Sequence, residues 1–216
     1  MSACQLCLRD ANQPWNVPLL ESPNFAVLPS LGALVEGWLL LVPKEHFLSF
    51  GAMPNSLTAE MQELKAATCA RVQQAYGMVI AFEHGPSEAG RSVGCGVDHA
   101  HLHIVPVDFD LAAAVAAYVP PRSKWSKANL ADCRRAFRKH LDYLYLEQPI
   151  GHGLIIQGHH LGSQLFRRAI AGELRIAEEY NWRTYPQLSN ISKTIQTLGK
   201  APKNDPDVFI RSEYAA

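Results

Sequence analysis

Three histidines alternate with apolar residues in the run His99-Ala100-His101-Leu102-His103-Ile104-Val105. Alternation at period two puts the three imidazoles on one face of an extended strand and Ala100, Leu102 and Ile104 on the other. On a helix, residues two apart diverge by about 200°, so no single site could use all three. The strand is therefore expected to turn an apolar back to a core and an imidazole front to something else. Three unsatisfied imidazoles have no packing rationale, because buried polar nitrogens need partners. A solvated surface strand is the plain alternative, and the glycine loop feeding this apolar alternation argues against it. Imidazole is a nucleophile, an acid–base group near neutral pH and a zinc ligand. The backbone amides around Gly94 and Gly96 form a candidate anion nest beside it. Nucleophile next to anion cradle points to phosphate-ester or anhydride chemistry, with a zinc hydrolase as the rival.

The surrounding pattern is that of an α+β chain. Residues 17–21, 25–28 and 38–42 read as short strands, followed by an amphipathic helix over 57–76. Its apolar face is Leu57, Met61, Leu64, Thr68, Val72 and Tyr76, with Asn55 or Ser56 as cap and Gly77 as stop. A buried strand over 78–82, a glycine-rich loop over 85–96 and the histidine strand over 99–107 complete an N-terminal unit, assigned residues 1–108. Residues 109–216 read as a mainly helical extension, with helices near 111–118, 130–141, 163–174 and 191–198. A hairpin pairs 143–146 with 154–157 around Pro149-Ile150-Gly151, and a polar tail begins near 201.

Composition excludes several function classes. Twenty basic and twenty acidic side chains in 216 residues leave no net charge, which argues against bulk nucleic-acid binding and a polybasic membrane anchor. No apolar run approaches the roughly 20 residues of a membrane span. With no signal-peptide core at the start, a cytoplasmic location is expected. Five scattered cysteines do not suggest a disulfide framework, and Cys69 and Cys133 fall on helix faces as small core residues. Cys4 and Cys7 form a C-x-x-C that by itself could be a metal knuckle, a redox pair or an accident. Zinc is the better reading, but two further ligands are needed.

The run His99 to Val105 fits the alternating signature of the histidine triad (HIT) family, and Leu40-Leu41-Val42-Pro43-Lys44-Glu45-His46 resembles that family's strand ending in Pro-Lys-x-His. The resemblance covers roughly residues 4–108 and implies a curved antiparallel sheet with a packed helix, often in a homodimer. It further implies a nucleotide hydrolase or nucleotidyl transferase acting on a nucleotide-containing small molecule. In that reading His101 attacks the α-phosphorus and forms a nucleotidyl-imidazole, while His103 donates to the phosphate oxygens. The conjugate would be a dinucleoside polyphosphate, a nucleoside phosphoramidate or a phosphosugar. Zinc-binding members of the family imply a structural Cys4, Cys7, His46, His99 site. The alternatives are a noncatalytic nucleotide- or RNA-processing partner and a zinc-stabilised interaction module.

Departures from the family pattern fall at substrate contacts. Arg91-Ser92 is separated from the triad, Cys95-Gly96 stands where a polar pair aligns, Pro29-Ser30 replaces a ribose-binding aspartate, and Glu83 replaces an asparagine. The segments 161–168 and 181–186 are similar to the tails of larger relatives, among them dinucleoside polyphosphate phosphorylases and a splicing-associated branch. There Ser163 is a candidate helix cap and Gln164 a candidate phosphate contact. Of Arg167 and Arg168, one is expected at the site and the other in solvent. Glu83, Ser92, Gly94, Gly96 and Gln164 are thus the substrate-binding candidates. His84, His159 and His160 read as structural or exposed.

Overall fold

Strands that the sequence separates by a whole helix lie side by side in one antiparallel sheet. In the computed structural model the described residues are 4–8, 12–149, 152–159 and 161–199. The hairpin turn at 150–151, His160 and the tail from 201 lie outside them. The elements are α1 (Gln5–Leu8), β1 (Leu20–Glu21), β2 (Phe25–Pro29), β3 (Leu39–Pro43), α2 (Thr58–Tyr76), β4 (Val79–Gly85), β5 (Leu102–Pro106), α3 (Leu111–Val115), β6 (Ser126–Ala128), α4 (Leu130–Arg138), β7 (Asp142–Glu147), β8 (Gly153–Gly158), α5 (Leu165–Glu173) and α6 (Leu188–Leu198). The sheet order is β1-β2-β3-β5-β4-β7-β8-β6. The fold class is α+β, as expected. In the C-terminal half the expected hairpin is present as β7 paired with β8, and one strand that the sequence reading did not assign, β6, joins it beyond β8.

Strand alternation gives the sheet two different faces. Val27, Leu41, Leu102, Ala81 and Tyr145 point to one side, where Met61, Leu64 and Val72 of α2 and Cys133 of α4 cover them. Each of the buried valine, leucine and methionine side chains here contributes about 2 kcal/mol by leaving water. On the other side α3 and α5 cover Ile80, Phe82, Leu144 and Leu146 through Leu111, Val115, Phe166 and Ile170. The pairings Leu28 with Leu40, Leu40 with His103, and Phe82 with both His103 and Leu146 place these residues in one row across that second face. His103 therefore marks a border. Beyond it toward β7 the row lies under α5; toward β2 it forms the floor of a cavity.

Two local expectations change. Helix α2 begins after Leu57 with no side-chain cap, a 3-10 turn over Asn55–Leu57 standing in for the cap assigned to Asn55 or Ser56. The histidine strand starts only at Leu102, so His99 and His101 precede it, and the chain there is tied instead by Ala100 N–H to the Phe47 carbonyl at 2.6 Å. No helix among the described residues is long and apolar enough to cross a membrane.

Candidate active site and metal centre

The three buried imidazoles of the second face are each fixed in one tautomer by a partner that can act in only one way. A carbonyl only accepts, so His101 Nδ1 donates to the His99 carbonyl at 2.6 Å, which leaves the lone pair on Nε2. An indole N–H only donates, so His103 Nδ1 accepts from Trp38 Nε1 at 3.0 Å. Neutral His103 then carries its proton on Nε2, a buried atom with no partner among the described residues. His84 accepts the Phe166 amide on Nε2 at 3.3 Å, and its Nδ1 is likewise buried and unpartnered. The His101 and His103 rings stand 4.9 Å apart, and Phe82 stacks on His103 at 4.6 Å.

Burial holds these groups neutral. Desolvation is the main cause that lowers His101 from its usual range, opposed by the His99 carbonyl and reinforced by Arg167. His103 and His84 are pushed further down, again by burial first and then by the positive charge that His101 or Arg167 would place nearby. At neutral pH the site offers a free lone pair on His101 and a free N–H on His103.

Both residues line a cavity of about 450 Å³. Its floor includes Leu28 and Leu40; Gln5, Leu6, Gln13, Trp15 and Asn16 of the N-terminal segment line it, and so do Arg167 and Trp182 of the C-terminal half. Arg167 is 2% exposed, donates from Nε to the Tyr180 carbonyl at 2.8 Å and from Nη2 to the Gly32 carbonyl at 2.5 Å, and lies over the Trp38 ring at 4.9 Å. Burial lowers it to about 10, so it stays charged at neutral pH. Gly32 makes this approach possible. It sits at φ +75°, and a Cβ there would lie 2.4 Å from Trp182 Cβ and 2.9 Å from Arg167 Nη2. Arg168 turns outward onto the Tyr180 ring at 4.0 Å. The arginine pair is resolved in favour of Arg167.

The substrate-binding candidates are dispersed. Glu83 points into the opposite core, where its carboxylate accepts from the Phe50 amide at 2.7 Å and from the Tyr143 hydroxyl at 2.5 Å. It does so because the odd residues of β4 face α2 and the even ones face α5. Ser92 is exposed and donates its hydroxyl to the Leu161 carbonyl at 3.0 Å. Gly94 is buried with Pro86 beside it, and exposed Gly96 offers its carbonyl to Arg183 Nη2 at 3.0 Å. Their neighbour Cys95 is the member of that loop that lines the cavity. Gln164 starts α5 in the left-handed conformation, φ 56°, with its buried Oε1 unpartnered among the described residues. Ser163 does not cap that helix; His84 takes one of its first amides instead. Trp38, His84, Arg167 and Trp182 are the site residues that the sequence reading did not assign. Of these, the Arg167-Arg168 pair, His84 and the 181–186 segment holding Trp182 had drawn notice in the sequence, His84 as a structural or exposed residue, whereas Trp38 had not.

Beside the cavity, Cys4, Cys7, His46 and His99 bring their ligand atoms within 4.8 Å of one another. Cys7 Sγ is 3.2 Å from His46 Nδ1 and 3.3 Å from His99 Nδ1, and Cys4 Sγ is 3.4 Å from His99 Nδ1. His99 Nε2 donates to the Pro43 carbonyl at 2.9 Å, which leaves the Nδ1 lone pair for a ligand. The four residues could hold a metal ion. His99 thus faces the cysteine cluster, and His101 and His103 face the cavity.

Residues 1–119 match the family described as "Protein similar to CwfJ C-terminal". The chain belongs to that family. No curated protein matches it. Among solved structures, it is similar to a hypothetical histidine triad nucleotide-binding protein from Sulfolobus tokodaii (24% identity, TM-score 0.36, covering 43% of this chain and 62% of that one). A HIT family hydrolase from Clostridium thermocellum is 18% identical, with TM-score 0.39 and coverage of 51% and 96%. Yeast Ap4A phosphorylase in complex with AMP is 14% identical, with TM-score 0.44 and coverage of 94% and 84%. The chain spans about three fifths of the Sulfolobus protein's length. Histidine triad proteins are thus among the solved structures this family member resembles.

Proposed function

We propose that this protein is a hydrolase or nucleotidyl transferase that cleaves a nucleotide conjugate at the α-phosphate through a covalent nucleotidyl-His101. One observation carries the reading. A single cavity is lined by an imidazole with a free lone pair, an imidazole with a free N–H and a buried guanidinium. His101 Nε2 attacks phosphorus, the N–P bond forms, and the bond to the leaving group breaks with its electron pair going to the departing atom. The His99 carbonyl, already hydrogen-bonded at Nδ1, stabilises the imidazolium that results. In this reading His103 Nε2–H donates to the non-bridging oxygens, where charge grows. Water or phosphate then attacks the phosphorus, and the N–P electron pair returns to Nε2. The apolar floor of Leu28 and Leu40 suits a nucleoside.

The metal of the second site is proposed to be zinc. Tetrahedral bonds of about 2.3 Å to sulfur and 2.0 Å to nitrogen put neighbouring ligand atoms roughly 3.5 Å apart, close to the cysteine–histidine distances here. Four protein ligands close the coordination sphere, so the ion would tie Cys4 and Cys7 to the catalytic strand rather than activate water.

The test is a rapid quench with labelled nucleotide conjugates. An acid-labile nucleotide adduct on His101 is expected. His101→Ala should lose the adduct and at least about a thousandfold in turnover while keeping the wild-type unfolding transition. Tight nucleotide binding with no adduct on any substrate would make this a noncatalytic binder.

A further inference from the structure

Arg167 is a charged group for which the described residues provide no opposite charge. It makes no ion pair among them, and the groups acting on its protonation include no carboxylate. Two carbonyls and an indole face hold it in place, which orients the guanidinium without neutralising it. A buried charge without a counter-charge is costly, and a chain that keeps one at a cavity wall leaves the compensation to what enters. Two of its five N–H donors are taken by those carbonyls.

The approach of Arg167 differs from that of the triad. His103 meets the edge of Trp38, with its ring 5.7 Å away and nearly perpendicular, whereas Arg167 lies over the Trp38 face. His103 spends Nδ1 on the indole N–H and keeps Nε2–H for the α-phosphate, so the Arg167 fork is a second donor on the same cavity wall. Trp182 and Cys95 stand on the same side of the cavity as Arg167, through the Gly32 and Trp182 contact and the Trp182 Nε1–H to Cys95 carbonyl bond at 3.4 Å.

We propose that Arg167 binds a second phosphate, carried by the leaving group, so that the substrates are nucleotides joined through a phosphoanhydride rather than phosphoramidates or esters with a neutral leaving group. This rests on the reading of His101 as nucleophile. As His101 Nε2 bonds to the α-phosphorus, the bridging P–O bond breaks and its electron pair moves onto the departing phosphate. Arg167 neutralises the charge that accumulates there, a charge-assisted interaction strongest in the transition state. An arginine rather than a lysine fits the role because the planar fork can hold two carbonyls and still offer donors to an anion.

The experiment compares wild type, Arg167→Gln and Arg167→Lys on two nucleoside monophosphate donors, one with a neutral aryl leaving group and one a dinucleoside polyphosphate. The burst rate of adduct formation isolates the first chemical step. Arg167→Gln should lose roughly a hundredfold on the polyphosphate and under tenfold on the aryl ester, with Arg167→Lys between. Equal losses on both substrates, or a defect confined to phosphate-stimulated breakdown of the adduct, would overturn the assignment. Calorimetric titration of tripolyphosphate onto the intact protein is independent of turnover. Weaker binding in Arg167→Lys than in wild type supports the subsite even if no adduct forms with any substrate, and unchanged binding counts against it.

Discussion

Glu83 and Arg167 are both buried charges, and their surroundings give them opposite fates. Glu83 sits against Tyr143 and the Phe50 amide in the α2-side core, where burial raises its carboxyl to about 7 despite both hydrogen bonds. In the unfolded chain the same group titrates near 4.5. Between these values the native state holds more protons than the unfolded state, so this group's contribution to stability is full below about pH 4.5 and lost as pH rises through 7. Glu83→Gln keeps the hydrogen-bonding shape without the charge. Urea unfolding should show the variant gaining about 2 kcal/mol relative to wild type on going from pH 5 to pH 8. Every other titratable group is common to both proteins and cancels in the difference. A difference that does not change with pH would mean that Glu83 is not the titrating group. The sequence matched Glu83 to a family position near substrate, because a residue type carries no mark of which strand face it occupies. That face is set by strand register, and the Tyr143 partner lies sixty residues away.

The N-terminal segment is an element whose position depends on two side chains. Gln5 and Leu6 lie between Cys4 and Cys7, and both line the cavity; Leu6 also packs against Ala26, Leu28 and Val42. A four-residue helix is too short to be stable by itself. Its anchoring must come from Leu6 packing and from the cysteines beside His46 and His99. Zinc bound there would stabilise the folded arrangement by mass action. Purified protein is expected to carry about one equivalent of zinc, and less than a tenth of an equivalent would refute the metal assignment. Stripping with a chelator, or Cys4→Ser, should weaken nucleotide binding by about tenfold while changing kcat less, since His101 and His103 keep their partners without the metal. A fall in kcat at unchanged KM would contradict this role for the segment. The C-x-x-C was legible as a ligand pair only after the histidine run supplied the other half. That its intervening residues form a cavity wall was not, because no periodicity in so short a stretch predicts where it docks.

At the scale of the whole molecule, the sequence motifs end near residue 108 but the sheet does not. The N-terminal elements were readable because strand, helix and strand each carry their own period, and the signature histidines lie within one short run. The C-terminal contribution was not readable in the same way. It depends on β7 joining β4 edge to edge, and on Tyr143 crossing Gly85 where any Cβ would lie 2.1 Å from its ring. Residues 1–119 include β1 to β5, α2 and α3. Cut there, β4 loses the strand paired along most of its length. Glu83 loses the Tyr143 hydroxyl, and Phe82 and His84 lose the cover of Phe166. Helix α2 loses α6, including Leu198, whose carbonyl accepts from Arg71, and Gly37 N–H loses its bond to Thr194 Oγ1 at 2.8 Å. An exposed strand edge, a large bare apolar face and an acid left with only the Phe50 amide as partner act together. The fragment 1–119 is therefore expected to aggregate or to lack a cooperative urea transition, whereas the chain carrying both halves unfolds in one step. A soluble monomeric fragment with a sharp transition of its own would show that the N-terminal half is independent. Arg167 would then be a contribution added to a finished site rather than part of its construction.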